Sequence, residues 1–304
     1  MDATIPNVPR SSGRVVKPVT RQLYEPRGVT IAGGPLLGAS ADLYGSSYAH
    51  HADELYRQVR LETYGTDLGQ TSWITVERWD ELIAELGLRA QARVLDVACG
   101  SGGPVLHLAE TTGHDVVGVD VHEDGIAAAE RQAAERGLAA RATFTRTDAT
   151  QRLPFPDASF DAVTCIDAVN HLAGRPHVFA EWRRVVRPGG RVLFTDPVVI
   201  TGLVTFEELA TRASIGYFLF TPAFENERLL AEAGLDVVSV RDVTEDTAEL
   251  ARRWHNARTA RAAALVEVEG TTQFEAQQRF LDTASTLARE RRLSRLLYVA
   301  DRPA

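Results

Sequence analysis

The sequence predicts an α/β fold around a parallel sheet that is buried on both faces. Between residues 91 and 200, short apolar runs of strand length alternate with segments of helix length, which is the pattern of right-handed βαβ units. The chain has 304 residues, of which 44% are apolar and 24% charged. This is the balance of a globular protein with room for one large α/β domain or two small ones.

The elements are assigned in chain order. Residues 1–40 contain five prolines and no apolar period, so we expect a flexible N-terminal extension. Residues 41–90 predict a helical cap, with helices over 41–60 and 75–86. The main domain is predicted over 91–304. Its strand-length runs lie at residues 93–98, 115–121, 142–148, 160–167, 190–198, 237–243 and 296–300. Its helices are predicted from 104 and over 123–137, 175–186, 205–220, 222–233, 247–265 and 272–289.

The alternation of strands and helices breaks after Pro197. Residues 200–235 therefore predict a helical insert between the fifth and sixth strands. We expect this insert to lie over the carboxyl ends of the strands, where open α/β sheets bind ligands.

Charge and cysteine content exclude several classes of protein. The formal charge is −8, which gives no basic footprint for a nucleic acid. No stretch approaches the roughly 18 consecutive apolar residues of a membrane helix, and the N-terminus has no apolar leader. Two cysteines cannot form a disulfide scaffold. We therefore expect a cytoplasmic protein with a small-molecule partner, no nucleic acid and no membrane; the sequence leaves a homodimer open.

The segment VLDVACGSGG, residues 94–103, carries the strongest functional signal. A buried strand leads into a turn in which Gly100, Gly102 and Gly103 allow a ligand to approach the backbone closely. A glycine loop of this kind serves dinucleotide enzymes as well as other nucleotide-binding proteins. The acidic residues around the glycine loop distinguish dinucleotide enzymes from the other nucleotide-binding proteins.

Acidic residues end three successive predicted strands, at Asp96, Asp120 and Asp148. Asp96 precedes the glycines, where a carboxylate suits a cationic amino group and would repel the pyrophosphate of a nicotinamide or flavin dinucleotide. Asp120 lies where a carboxylate accepts both hydroxyls of a ribose. Asp148 and Ala149 are placed to meet an adenine edge. Together these residues predict a site for a cationic adenosyl amino acid.

These motifs resemble, in order, those of the class I S-adenosylmethionine-dependent methyltransferases over roughly residues 60–200. The matching stretches are VLDVACGSGG, VVGVDVH, the turn at Asp148, LPFPDASFDAVTCIDAVNHL and RVVRPGGRVLFTDP. Ala98 and Cys99 stand where the family has its second glycine. The resemblance implies a Rossmann-like sheet of seven strands in the order 3-2-1-4-5-7-6, with strand seven antiparallel and helices on both faces.

The resemblance implies S-adenosylmethionine as the cofactor and assigns its contacts. Asp96 with the backbone of Ala98 and Gly100 would hold the methionine end, and Asp120 would hold the ribose. The full set of expected cofactor residues is Tyr64, Trp73, Asp96, Ala98, Gly100, Asp120, Val121, Asp148, Ala149 and Ile166. No histidines, cysteines or acids have metal-ligand spacing, so we expect no metal.

Asp167 and His171 are four residues apart at the predicted end of strand four. If the chain turns into a helix there, both side chains face one side, and a carboxylate would orient the imidazole. A histidine pKa near ~6.5 suits a general base at neutral pH. The stretch resembles the Asp–His dyad of phosphoethanolamine methyltransferases, with parts shared by glycine/sarcosine N-methyltransferases and bacterial natural-product methyltransferases. The alternative is a capping aspartate beside a structural histidine.

The resemblance fades after about residue 205. Aromatic residues predicted to cover the acceptor are Tyr48, Tyr217, Phe218 and Phe220, each of which also suits a plain core. The predicted function is methyl transfer to nitrogen or oxygen of a small molecule in bacterial specialised metabolism. The alternatives are a C-methyltransferase and a non-methylating cyclisation that uses the bound sulfonium as a fixed charge.

Overall fold

A computed structural model describes residues 53–304 of the chain. Within this range one mixed sheet is flanked by helices. Its strands are β1 (Arg93–Val97), β2 (Asp115–Asp120), β3 (Ala142–Arg146), β4 (Phe160–Cys165), β5 (Val186–Ile200), β6 (Thr221–Pro222), β7 (Asp236–Asp242) and β8 (Leu293–Asp301). Tyr48, the expected extension over 1–40 and most of the helix predicted over 41–60 lie outside the described residues.

The strand order is β3-β2-β1-β4-β5-β8-β7. β8 runs antiparallel to both of its neighbours, and the other pairs along this path are parallel. Since β7 and β8 are the sixth and seventh long strands of the described residues, the predicted order 3-2-1-4-5-7-6 is confirmed. The described residues add one strand to the expected seven, the two-residue β6, which pairs with the end of β5.

Ten helices are described in this part of the chain. They are α1 (Glu54–Tyr64), α2 (Val76–Glu85), α3 (Gly103–Thr112), α4 (Glu123–Glu135), α5 (Arg175–Val185), α6 (Phe206–Arg212), α7 (Glu225–Glu232), α8 (Thr244–Thr259), α9 (Ala262–Glu269) and α10 (Thr271–Arg289). Apolar residues of α2, α3 and α4 pack on one face of the sheet, and those of α5 and α7 pack on the other. The strand residues Val94, Leu95 and Val97 are fully buried between these layers.

The helix predicted over 205–220 is wrong in its second half. α6 begins after Thr205, whose side chain forms a capping box with Glu208, and ends at Arg212. Beyond it the backbone bonds to another element, because the Leu219 N–H donates to the carbonyl of Asn170 at 2.8 Å. Thr221 and the next residue then pair with β5 as β6. Tertiary hydrogen bonds thus replace the last turns of the predicted helix.

A third apolar cluster lies outside the two sheet faces. It joins α1 to α8 and α10 through side chains that include Tyr64, Trp73, Trp254 and Phe280. The helices α8, α9 and α10 are inserted between β7 and β8, so this cap draws on two distant parts of the chain. The boundaries 41–90 and 91–304 stay predictions. No helix among the described residues is both long and apolar enough to cross a membrane.

Candidate active site

Three cavities adjoin one another at the carboxyl ends of the strands. The strand-end cavity, of about 520 Å³, is lined by Asp120, Val121, Asp148 and Ala149 together with residues from 166–172 and 215–217. The glycine-loop cavity, of about 60 Å³, lies beside Asp96 and the loop 98–101. The aromatic cavity, of about 20 Å³, is the smallest of the three and is lined by Trp73, Phe218, Trp254 and Phe280 among others. Thr71 lines all three cavities, so they form one continuous site.

The loop after β1 is a tight turn built on left-handed backbone. Ala98, Gly100 and Gly102 have φ of 58°, 55° and 79°. A non-glycine residue at positive φ is uncommon, and Ala98 is the position where the resemblance expects glycine. A Cβ on Gly103 would stand 1.6 Å from the carbonyl oxygen of Leu68. Glycine is therefore required there because residues 68–73, the cover segment, cross the start of α3.

Asp96 is a buried carboxylate that faces the glycine-loop cavity. The Thr164 hydroxyl donates to its Oδ1 at 2.7 Å. Burial raises the pKa of Asp96 to about 7, and the neighbouring charge of Asp120 raises this pKa as well. A cationic group bound in the cavity would stabilise the ionised carboxylate and lower that pKa again. This geometry fits the amino group of an amino acid.

Asp120 and Asp148 lie on the wall of the strand-end cavity. The Asp120 carboxylate accepts the backbone N–H of Gly100 at 2.8 Å and that of His122 at 2.9 Å. It therefore fixes the glycine loop and the start of α4 while it faces the cavity. Asp148 accepts the backbone and hydroxyl hydrogens of Thr150, which lower its pKa. Both residues lie where the sequence expects a ribose and an adenine edge.

His171 lies at the boundary between the strand-end and aromatic cavities. Its Nδ1 is 2.6 Å from the carbonyl of Tyr217, and its Nε2 is 3.1 Å from the side-chain amide nitrogen of Asn170. Because a carbonyl only accepts and an amide N–H donates, the proton lies on Nδ1 and the lone pair on Nε2. Burial lowers the pKa of His171 to about 4, and the charge of Arg212 lowers it too. The imidazole is thus neutral at pH 7.

The predicted hydrogen bond between Asp167 and His171 does not form. Asp167 has φ of 56°, so the chain turns before the short 3₁₀ helix that contains His171. The Asp167 carboxylate instead binds Arg295 at 2.7 and 3.1 Å, the Thr195 hydroxyl at 2.7 Å and the Trp73 N–H at 2.7 Å. The two residues are close but are not a hydrogen-bonded dyad, and their catalytic roles stay proposals.

The aromatic cavity contains a buried arginine. The guanidinium carbon of Arg212 lies 4.6 Å from the ring centre of Phe280, 5.0 Å from that of Phe218 and 5.7 Å from that of Trp73. Attraction between a cation and aromatic faces stabilises such an arrangement. Trp254 and His171 complete this part of the lining. The lining of this cavity thus combines the positive charge of Arg212 with the neutral imidazole of His171.

Comparison with known proteins identifies the family. A profile described as a methyltransferase domain matches residues 94–190. The chain is 32% identical over 205 residues to the 27-O-demethylrifamycin SV methyltransferase of Amycolatopsis mediterranei, covering 66% of this chain and 75% of the relative. The chain belongs to the class I S-adenosylmethionine-dependent methyltransferases. The resemblance inferred from the motifs is thus confirmed, and so is S-adenosylmethionine as the cofactor.

Solved structures of methyltransferases share the fold. A protein described as a sarcosine dimethylglycine methyltransferase from Galdieria sulphuraria has a TM-score of 0.68 at 20% identity, covering 75% of this chain and 84% of that one. A phosphoethanolamine N-methyltransferase of Haemonchus contortus in complex with S-adenosylmethionine has a TM-score of 0.69 at 18% identity, covering 85% of this chain and 60% of that one. At such identities the likeness concerns the fold alone.

The structure brings most of the expected cofactor residues of this methyltransferase together. The strand-end and glycine-loop cavities are lined by Asp96, Ala98, Gly100, Asp120, Val121, Asp148, Ala149 and Ile166. Two expected residues lie outside these two cavities. Tyr64 packs against Trp254 with ring centres 6.2 Å apart and lines none of the three cavities. Trp73 lines the aromatic cavity, whereas its neighbours Thr71 and Ser72 line the strand-end and glycine-loop cavities.

The expected acceptor residues are divided in the same way. Phe218 lines the aromatic cavity, and Tyr217 lines the strand-end cavity. Phe220 stacks on Phe218 at 6.3 Å and is not part of the lining. Sequence reasoning missed Arg212, Asn170, Trp254, Phe280 and Arg295. A lone arginine, asparagine or aromatic residue carries no local signal of the tertiary contacts it makes, so the sequence alone could not select them.

Proposed function

We propose that this methyltransferase transfers the methyl group of S-adenosylmethionine to a hydroxyl oxygen of a small molecule. The observation that carries the proposal is the neutral imidazole of His171 at the boundary between the cofactor cavity and the aromatic cavity. Its Nε2 lone pair, which accepts from the Asn170 amide in this structure, can accept the proton of a hydroxyl group that displaces that amide. Arg212 beside it favours the negative charge that develops on that oxygen and disfavours an ammonium group.

The division of roles follows from the geometry. The cofactor, when bound, supplies an electrophilic methyl group. Asp96 would hold its amino group, and Asp120 would hold its ribose. Asn170 and the Tyr217 carbonyl hold the His171 ring in one orientation and one tautomer. The aromatic walls around Arg212 leave a cavity of only about 20 Å³, and a bound acceptor that displaces water from it would strengthen each of these electrostatic interactions.

The relative from Amycolatopsis supports an oxygen acceptor and a role in specialised metabolism, since its name refers to an O-demethylated rifamycin. The small aromatic cavity also supports an acceptor that inserts a single reactive group rather than a polymer. A cytoplasmic location and a homodimer stay predictions of the sequence.

Transfer of a labelled methyl group tests the proposal. The purified chain is incubated with methyl-labelled S-adenosylmethionine and matched pairs of small hydroxyl and amine acceptors, starting with 27-O-demethylrifamycin SV. We expect S-adenosylhomocysteine to form together with a labelled methyl ether. Label on nitrogen or carbon would contradict the oxygen acceptor. A converted substrate without S-adenosylhomocysteine would favour the non-methylating alternative.

A further inference from the structure

The cover segment, residues 68–73, is anchored at its end by a buried carboxylate. The Trp73 N–H donates to Oδ2 of Asp167 at 2.7 Å, across 94 positions of sequence. Arg295, from β8, binds both oxygens of this carboxylate at 2.7 and 3.1 Å. The side chains of Asp167 and Arg295 are 3% and 1% exposed. A buried ion pair of this kind adds little to the net free energy of unfolding. Stability therefore does not explain the pair, and its geometry must be considered.

Each oxygen of Asp167 receives two donors. Oδ1 accepts from the Thr195 hydroxyl and from Nε of Arg295, both at 2.7 Å. Oδ2 accepts from the Trp73 N–H and from Nη2 of Arg295. An amide at this position would turn its NH₂ group toward two of these donors in either orientation. The arrangement therefore requires a carboxylate, and it fixes the height of the Trp73 backbone above β4 and β5.

The position of the Trp73 backbone affects the walls of the strand-end and glycine-loop cavities. Thr71 and Ser72, directly before Trp73, line both the strand-end and the glycine-loop cavity, and the Trp73 ring lines the aromatic cavity. The pair also reaches the cap, because Nη1 of Arg295 lies 3.5 Å from the Asp246 carboxylate of α8. One buried contact thus sets the position of the segment that separates the cofactor from the acceptor side.

We propose that Asp167 and Arg295 form a positioning pair, which holds residues 71–73 at the spacing that the bound cofactor needs. The pair acts on cofactor binding and leaves the orientation of His171 to Asn170 and Tyr217. The inference rests on the cofactor site of the proposed function and not on its acceptor.

Calorimetric titration with S-adenosylhomocysteine tests the pair without knowledge of the acceptor. We expect Asp167→Asn to weaken binding by roughly tenfold or more, as for the loss of a charge-assisted hydrogen bond that fixes a binding segment. In Asp167→Asn/Arg295→Met, the amide oxygen can again face Trp73 while the NH₂ group faces Thr195. This double variant is therefore expected to recover most of the affinity that the single variant loses.

Asp196→Asn is the matched control, because Asp196 is equally buried and bound to Arg175 at 2.7 Å but lines none of the three cavities. It should lower the melting temperature and leave the affinity unchanged. Arg295→Lys, which keeps the charge but loses the bidentate contact, serves if Asp167→Asn does not fold. Wild-type affinity in folded Asp167→Asn or in folded Arg295→Lys would overturn the inference. Failure of the wild-type chain to bind would instead contradict the cofactor site itself.

Discussion

The electrostatics of the site depend on two ionisable side chains whose pKa values are shifted in opposite directions. The pKa of Asp96 is raised because this side chain is buried near Asp120, whereas partial burial and the charge of Arg212 lower the pKa of His171. In the absence of ligand at pH 7, His171 is therefore neutral and about half of the Asp96 carboxyl groups carry a proton. A complementary charge in the bound ligand shifts either group toward its ionised form, which couples ligand binding to proton movement.

Asp96 predicts a pH-dependent affinity for the cofactor product. Because its pKa is about 7, binding of the ammonium group of S-adenosylhomocysteine must release a proton below that pH. We expect the affinity to rise between about pH 6 and about pH 8, and we expect Asp96→Asn to weaken binding and abolish the rise. Calorimetry in buffers of different ionisation enthalpy counts the protons. Asp148→Asn is the control, since the lowered pKa of Asp148 keeps that group ionised throughout.

The raised pKa of Asp96 also makes the stability of the ligand-free protein depend on pH. The native state holds a proton on Asp96 that the unfolded chain has already lost, so this group makes the ligand-free fold less stable as the pH rises from 3.8 through about 7. Urea unfolding of the wild type and Asp96→Asn between these values measures the difference. A stability gap that does not widen in favour of the variant would contradict a raised pKa.

His171 predicts an acid-side loss of both stability and turnover. The unfolded chain takes up a proton near pH 6.5 and the folded chain only near pH 4, so the contribution of this group to stability declines as the pH falls through that window. Turnover should be flat around neutrality and fall toward about pH 4, and not at the neutral pKa that an unperturbed histidine implies. Urea unfolding of the wild type and His171→Gln measures the first effect.

The prediction for turnover is tested with an acceptor that has been found by methyl labelling. His171→Ala should lower the turnover number by about 10²–10⁴-fold, as for the loss of a general base, with nearly unchanged affinity for S-adenosylhomocysteine. Arg212→Met should move the acid-side inflection to higher pH, because the charge of Arg212 lowers the pKa of His171. Wild-type turnover in His171→Ala would mean that proximity alone carries the reaction.

At the scale of elements, the junction of β1 and α3 controls the site. Its loop supplies the backbone that faces the glycine-loop cavity, and the cover segment crosses it closely enough to exclude a Cβ at Gly103. The Ser101 hydroxyl donates to the carbonyl of Gly69 at 3.0 Å, which ties the two segments together. Loop and cover segment thus form one wall, and a change in either must displace the other.

Two substitutions, one that adds a Cβ and one that removes it, test the packing of this junction against the cover segment. Gly103→Ala places a Cβ 1.6 Å from the Leu68 carbonyl oxygen, so we expect a loss of about 1–3 kcal/mol in the free energy of unfolding and weaker cofactor binding. Ala98→Gly relieves a positive φ and should leave stability within about 1 kcal/mol of the wild type. Denaturant titrations with and without S-adenosylhomocysteine measure both effects. Equal stability of Gly103→Ala and the wild type would mean that the cover segment lies elsewhere in solution.

At the scale of the molecule, the site lies between the sheet and a cap that comes from two parts of the chain. α1 precedes the sheet in sequence, while α8 and α10 are inserted before β8, and all three meet in one apolar cluster. Ligand binding between sheet and cap should therefore stabilise the whole fold. A cofactor at a hundred times its dissociation constant adds about 2.7 kcal/mol.

Thermal unfolding distinguishes the cofactor classes at this scale. S-adenosylhomocysteine should raise the melting temperature, and NAD should not, because Asp96 lines the glycine-loop cavity, where its carboxylate would repel a pyrophosphate. Asp120→Ala should remove most of the increase, since that carboxylate also holds Gly100. An increase with NAD alone would contradict the placement of these carboxylates.

The sequence by itself determined the sheet, the glycine loop and the acidic strand ends. These are set by local signals: apolar runs make buried strands, and parallel strands bring their carboxyl ends to one edge. Asp96, Asp120 and Asp148 therefore meet although no two of them are close in sequence. The order of the strands was implied by the family resemblance that the same motifs carry.

Only the tertiary structure decided the partners of the side chains that the motifs place there. Asp167 pairs with Arg295, 128 positions away, because the antiparallel β8 returns beside β5, and no local pattern predicts which arginine that strand delivers. The pKa of His171 likewise depends on Arg212, which α6 brings in from the insert. Spacing fixes which face a residue occupies, but hydrogen-bond partners and burial depend on what the rest of the chain packs against that face.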